Sequence, residues 1–117
     1  MKSGFYAIFV TGEAGESIAL LHLENGQVLG FDGTGGKWKG SYRMAQNTVS
    51  FLIEVTLLGG TNLTTTGATV DHDQKIEVNF ECVVSELTNK DHLVNLPIGE
   101  VITRFRYLGP SSETQMA

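Results

Sequence analysis

The chain has few cysteines, prolines and long apolar runs, and each shortage excludes a class of protein. Cys82 is the only cysteine among 117 residues, so no disulfide can form within one chain. Its apolar neighbours predict a buried, inert thiol in a reducing compartment, which favours a cytoplasmic location. The opening apolar run, Phe5–Val10, is too short for a signal peptide. No run approaches the ~18 apolar residues of a membrane helix, so we predict no membrane contact.

Basic residues are also scarce: 8 lysines and arginines stand against 13 acidic residues, for a net charge of −5. Binding to a phosphate backbone requires clustered cations, because the release of condensed counterions drives it. Only two sets are clustered, Lys37/Lys39/Arg43 and Arg104/Arg106. We interpret both as solvated strand faces that resist edge pairing, and predict no nucleic-acid partner.

What the sequence does contain is alternation of apolar and polar residues. In Thr48–Leu58 the odd-numbered residues from Val49 to Leu57 share one apolar face, and the same period of two fits Lys75–Val84 and Val101–Leu108. Turn signals separate the segments; Asn25-Gly26, for example, tolerates the positive φ of a type I′ hairpin turn. The predicted strands are 4–11, 17–24, 27–32, 37–44, 48–58, 64–70, 75–84 and 101–108.

Eight short strands joined mainly by hairpins predict an all-β fold, an eight-stranded up-and-down antiparallel barrel of the lipocalin or streptavidin kind. One longer connection, Ser85–Glu100, precedes the last strand and is expected to contain a helical turn around Asn89–Val94. We predict a single barrel domain over residues 1–109 and a flexible C-terminal tail over 110–117.

Three patterns that resemble functional sites have simpler explanations. Adjacent residues of a strand point to opposite faces, so Asp71-His72-Asp73 cannot easily converge on a metal. Gly33–Lys37 lacks the helix of a phosphate-binding loop and fits a barrel turn. The carboxylates of Glu54, Glu77 and Glu81 lie at outward, solvated positions. We therefore predict no catalytic residue, metal or cofactor, and no enzyme activity.

The first hairpin is apolar on both faces, which is unusual for a barrel strand that faces water. We expect its exterior to be covered, either by a second copy in a homodimer or by the connection Ser85–Glu100. The predicted dimer or partner surface consists of Phe5, Ala7, Phe9, Ala19, Leu21 and Leu23.

An eight-stranded barrel has an interior about wide enough for side chains or one small ligand. Glycines at Gly30, Gly40 and Gly67 are expected to leave room inside. The predicted interior residues, which would also line a ligand site, are Trp38, Tyr42, Phe51, Phe80 and Phe105. A carrier of a small apolar ligand is therefore an alternative function.

Several short motifs follow one another in the first half of the chain: Gly4-Phe5-Tyr6, Gly15-Glu16, Asn25-Gly26, Gly30-Phe31-Asp32 and Lys39-Gly40-Ser41-Tyr42. In this order and spacing, over residues 3–58, the chain resembles the GrlR-like family of small bacterial β-barrel proteins, negative regulators of type III secretion genes. The resemblance implies a lipocalin-like eight-stranded barrel, a homodimer, and regulation through contact with a protein partner instead of catalysis. A transcription regulator is one partner that fits this hypothesis.

The sequence departs from that family between the fourth and fifth strands. There the family has an acidic surface run held to matter for binding its activator partner, whereas Met44–Thr48 contains no acidic residue. We therefore predict a non-enzymatic binding protein of this type whose partner is unassigned.

Overall fold

The fold is an antiparallel β-barrel that is nearly closed. A computed structural model describes residues 1–63, 65, 67–97 and 99–111. In that part of the chain the only helix is a single 3-10 turn, Val84–Glu86. The strands are β1 (Gly4–Thr11), β2 (Glu16–Glu24), β3 (Gln27–Asp32), β4 (Lys37–Ala45), β5 (Thr48–Leu57), β6 (Gln74–Val83), β7 (His92–Leu96) and β8 (Gly99–Gly109).

The strands follow the order β6-β5-β4-β3-β2-β1-β8-β7 in one sheet. Every pair is antiparallel, and β1 pairs with both β2 and β8, so the first and last strands meet inside the sheet. In the described part of the chain no ladder joins β6 to β7, which leaves a seam between these two strands. The predicted eight-stranded up-and-down barrel is confirmed, with its one opening at this seam.

Two of the predicted elements are wrong. Residues 64–70 were expected to form a strand, but the described residues among them form a loop with one bridge, between Asn62 and Thr69. Gly67 turns the chain there with a φ of +75°. The eighth strand is instead β7, which lies where a helical turn was expected. Its five residues alternate in burial and pair with β8, whereas the helical turn forms earlier, at Val84–Glu86.

The core confirms the period of two. On β5 the side chains of the five odd-numbered residues from Val49 to Leu57 are all buried in the barrel. Each such side chain contributes about 1.5–3 kcal/mol relative to an exposed one. The inward side of β6 is only half-buried because it borders the seam, so Cys82 is half-buried instead of buried. Burial, with smaller contributions from Glu86 and Glu81, raises the pKa of its thiol.

The buried Tyr6 makes the stability of the fold depend on pH in alkaline solution. Its side chain is buried, its hydroxyl donates to the carbonyl oxygen of Lys2, and its ring lies 5.2 Å from that of Tyr107. Burial, with smaller contributions from Tyr107 and Tyr42, raises the pKa of Tyr6 to about 12. A tyrosine in the unfolded chain loses its proton near pH 10.

Because the unfolded chain releases this proton first, the contribution of Tyr6 to stability is complete below pH 10. It is lost as the pH rises towards 12. We expect the free energy of unfolding in urea to fall more steeply between pH 10 and pH 12 in the wild type than in Tyr6→Phe. Parallel declines in the two proteins would contradict this account of Tyr6.

Candidate functional site

The outer side of β1, β2 and β3 carries one continuous set of apolar side chains. Residues paired across neighbouring strands share a face. Ala7 pairs with Leu20, which in turn pairs with Phe31, and Phe9 pairs with Ile18. We call this surface the apolar face: Phe5, Ala7, Phe9, Ile18, Leu20, Leu29 and Phe31.

Most of the apolar face is open to solvent. Leu20 and Phe31 are each 56% exposed, and Phe5, Ile18 and Leu29 are 43–46% exposed. Phe9 is half-buried and Ala7 is buried. Single exposed apolar residues are common on protein surfaces, but five large ones on three adjacent strands form a patch of the kind that marks an interaction site.

The structure corrects half of the predicted partner surface. Phe5, Ala7 and Phe9 are on the outside of the barrel, but Ala19, Leu21 and Leu23 are inside it. Their exposed fractions are 1%, 0% and 0%. The four-residue turn Gly12–Gly15 pairs odd-numbered residues of β1 with even-numbered residues of β2, so Ile18 and Leu20 are the outward residues.

Ser85–Glu100 does not supply the expected cover for the first hairpin. Its strand, β7, pairs with the edge of β8 that faces away from β1. At one end of the apolar face His22 contacts the Phe5 ring at 4.9 Å, and its Nε2 lies 2.8 Å from Oγ of Ser111. The predicted tail 110–117 is therefore held to the barrel at Ser111, and its remainder, 112–117, lies outside the described residues.

Cations lie along both sides of the apolar face. On β8, Arg104 pairs in register with Phe9, and Arg106 with Ala7. On β4, Lys37 pairs with Phe31, and Lys39 with Leu29. The two basic sets that looked unrelated in the sequence therefore border the same surface.

Only one of these cations is neutralised by a carboxylate. Arg104 donates two hydrogen bonds to Asp91, at 2.8 and 3.2 Å, and this contact lowers the pKa of the Asp91 carboxyl. Within the described residues, Lys37, Lys39 and Arg106 form no ion pair. They are free to meet carboxylates of a partner.

The barrel interior contains a small cavity of about 90 Å³. The rings of Phe51, Phe80 and Phe105 stack on one another within 6.0 Å at its wall, and Leu63 and Thr65 of the β5–β6 loop also line it. The five predicted interior residues all face inward; Tyr42 packs on Phe51 with the ring centres 6.0 Å apart, and Trp38 lines the cavity. The space suits a few waters or one small apolar molecule.

Glycines do not create this cavity, contrary to expectation. A Cβ on Gly30 would lie 2.1 Å from the carbonyl oxygen of Leu20, and one on Gly40 would lie 2.0 Å from that of Leu52. The two glycines therefore allow neighbouring strands to approach closely. Gly67 lies in the β5–β6 loop, where an added Cβ would meet that of Ala14 at 3.4 Å.

Asp32 organises the turn that resembled a phosphate-binding loop. Its carboxylate accepts hydrogen bonds from the backbone N–H groups of Thr34 (3.0 Å) and Gly36 (2.8 Å), from the Thr34 hydroxyl (2.7 Å) and from Nε1 of Trp38 (3.0 Å). A carboxylate at the centre of the loop would repel a phosphate. The prediction of a barrel turn at Gly33–Lys37 is confirmed.

The residues that the structure describes include no group of three or more metal-ligating side chains close enough to hold an ion. Near His72, the Asp73 carboxylate instead accepts a hydrogen bond from the backbone N–H of Gly59 at 2.8 Å. In the same part of the chain, no helix has the length and apolar character of a membrane span. The absence of enzyme activity stays a prediction.

Comparison with known proteins gives no match: no family model, curated protein or solved structure is detectably similar to this chain. The resemblance to the GrlR-like family thus stays a prediction, supported by its motifs alone. The functional inference has to come from the geometry of the apolar face and the cavity.

Proposed function

We propose that this protein is a non-enzymatic binding protein whose apolar face contacts another protein and regulates it. One observation carries the proposal: five large apolar side chains are exposed together on the outside of β1–β3. Water-facing barrel strands normally alternate apolar and polar residues. On β6 the exposed residues from Lys75 to Glu81 follow this rule and are all polar or charged. A binding role explains why β1–β3 depart from that rule.

The character of the apolar face also fits a binding surface. Interface cores are enriched in aromatic residues and depleted of charge, and their rims are polar. Phe5 and Phe31 flank the aliphatic centre formed by Ile18, Leu20 and Leu29, and the rim carries cations. The GrlR-like motifs support a regulatory role, since regulators of that family act by protein contact.

Site-specific photocrosslinking in the native cell tests the proposal. A photoreactive phenylalanine analogue replaces Leu20 in one variant and Phe31 in another. A third variant carries the analogue at Asn79, an exposed outward position on β6. We expect crosslinked products of the same mass from positions 20 and 31 and none from position 79. Equal products from all three positions, or none from positions 20 and 31, would reject the proposal.

The predicted homodimer is one version of this proposal, and it can be tested separately. If the apolar face joins two copies, the crosslinked product has twice the mass of the chain, and light scattering detects a dimer that Leu20→Ser disrupts. A monomer at high concentration, with crosslinks to a different protein, assigns the apolar face to a heterologous partner.

The cavity supports a second candidate, the carrier of a small apolar ligand. Its walls are almost entirely apolar, and Ile76, Val78 and Phe80 reach it from β6 beside the seam, which offers an entry path. At about 90 Å³ it admits only a very small guest, such as xenon. Xenon-induced shifts confined to methyl groups that line the cavity, such as those of Val78 and Val94, would support this candidate, and their absence would oppose it.

A further inference from the structure

We infer that the partner of the apolar face is an acidic amphipathic helix, with an apolar stripe bordered on both sides by carboxylates. This inference rests on the proposed function and adds the chemistry of the partner. The charge pattern around the apolar face carries it, together with the dimensions of the sheet.

The protein has concentrated its few cations at this surface. Of its eight basic residues, four pair in register with residues of the apolar face, Lys37 and Lys39 on β4 and Arg104 and Arg106 on β8. Carboxylates lie at the two ends of β2, at Glu16 and Glu24, and Glu54 of β5 pairs with Lys39, so the cationic borders are the two long sides of the apolar face. The chain as a whole carries a net charge of −5. On β6, on the other side of the barrel, the outward residues include the carboxylates Glu77 and Glu81. The asymmetry would attract an anionic partner to the apolar face and orient it there.

The distances between the strands of this surface fit a single bound helix. Neighbouring strands lie ~4.8 Å apart, so β1 to β3 span ~10 Å, about the diameter of an α-helix with its side chains. The cationic rows on β8 and β4 are each one strand further out. A helix lying on the apolar face would therefore place carboxylates on its flanks near Arg106 on one side and near Lys39 on the other.

Two shallow depressions next to the apolar face could receive side chains of such a helix. One, beside Leu29, is lined by His22, Lys39 and Ser41. The other is lined by Phe9, Ile102 and Arg106. Both also contain carboxylates, Glu24 in the first and Glu16 and Asp91 in the second. An acidic side chain of the helix would therefore approach each depression from its cationic wall, at Lys39 or at Arg106.

A second copy of the chain fits this surface less well. An isologous dimer contact brings the same patch of both copies together. With cations on both sides of the apolar face, a two-fold arrangement that aligns the strands of the two copies places the β8 or β4 row opposite another cationic row. Like charges facing each other across an interface oppose association.

Binding of synthetic helices to the full-length protein tests the inference. Three labelled peptides of about 18 residues share one leucine stripe and differ only in the flanking residues, which are Glu, Gln or Lys. We expect the Glu peptide to bind about tenfold more tightly than the Gln peptide at low salt, with the Lys peptide weakest. The advantage of the Glu peptide should shrink as salt is added.

Variants of the protein show which residues cause the preference for the Glu peptide. The double variant Lys39→Glu/Arg106→Glu should lose the preference for the Glu peptide, and Leu20→Ser should weaken all three peptides. Lys75→Glu/Asn79→Glu adds negative charge at exposed positions of β6, on the other side of the barrel, and should leave the preference intact. Circular dichroism confirms that each variant is folded.

The possible outcomes distinguish a wrong partner chemistry from a wrong proposed function. Equal binding of the Glu and Gln peptides, lost in Leu20→Ser, overturns the acidic partner but keeps the proposed function. Binding to phosphatidylserine vesicles or to oligothymidylate in place of the peptides overturns the inferred helix. Failure of all three peptides also overturns it, and the crosslinks from positions 20 and 31 then decide the proposed function independently.

Discussion

Replacing Gly40 with alanine is expected to lower the free energy of unfolding by about 3 kcal/mol or more, a large part of the stability of a domain this size. Gly40 lies in β4 between Val28 and Ile53. A Cβ there would come 2.0 Å from the carbonyl oxygen of Leu52 and 2.8 Å from Cα of Ile53. Backbone atoms of a barrel strand cannot give way locally, so the whole β4–β5 pair must separate.

Urea unfolding followed by the fluorescence of Trp38, the only tryptophan, measures this loss. Gly33→Ala is the matched control, because no atom lies within 4 Å of the added methyl group. Its stability should stay within about 0.5 kcal/mol of the wild type. A loss of less than 1 kcal/mol in Gly40→Ala would show that β4 and β5 do not depend on their close approach at this position.

The second large effect is expected at Asp32. Asp32→Ala removes the acceptor for four hydrogen bonds and leaves Nε1 of the half-buried Trp38 without its partner. Hydrogen bonds to a charged group are worth about 1.5–3 kcal/mol each, and water can replace some of those in this exposed turn. We expect the free energy of unfolding to fall by about 2–4 kcal/mol.

Two measurements check this prediction: urea unfolding and the exchange rate of the Trp38 indole N–H, which should increase. Asp73→Ala is the control, since among the described residues the exposed Asp73 carboxylate accepts one hydrogen bond, from the backbone N–H of Gly59. It should cost less than about 1 kcal/mol. If Asp32→Ala and Asp73→Ala have equal effects, Asp32 does not organise the β3–β4 turn.

The architecture was readable from the sequence because the alternation is strong wherever only one face is apolar. The register of β5 follows directly from Val49, Phe51 and Ile53. In β2 both faces are apolar, and alternation could not tell which side faces inward. Counting the turn Gly12–Gly15 would have resolved it, because a four-residue loop pairs odd with even positions and places Leu20 beside Ala7 on the outside.

Other features depended on contacts between distant segments. The segment His92–Leu96 is short, and it becomes a strand because β8 offers it an edge. The β8 row of cations borders the apolar face only because β1 pairs with β8, which brings Arg104 and Arg106 next to Phe9 and Ala7. In the sequence these arginines are almost a hundred residues away from the hairpin that they border, so composition and spacing could not reveal the surface.

The most direct test of the apolar face as the binding surface is a nuclear magnetic resonance footprint with the glutamate-flanked helix. We expect amide shifts along Phe5–Phe9, Ile18–His22 and Leu29–Phe31, with the signals of Glu77–Glu81 on β6 unchanged. Shifts centred on the seam between β6 and β7, or on the cavity residues Val78 and Val94, would contradict the account and assign binding to the barrel interior.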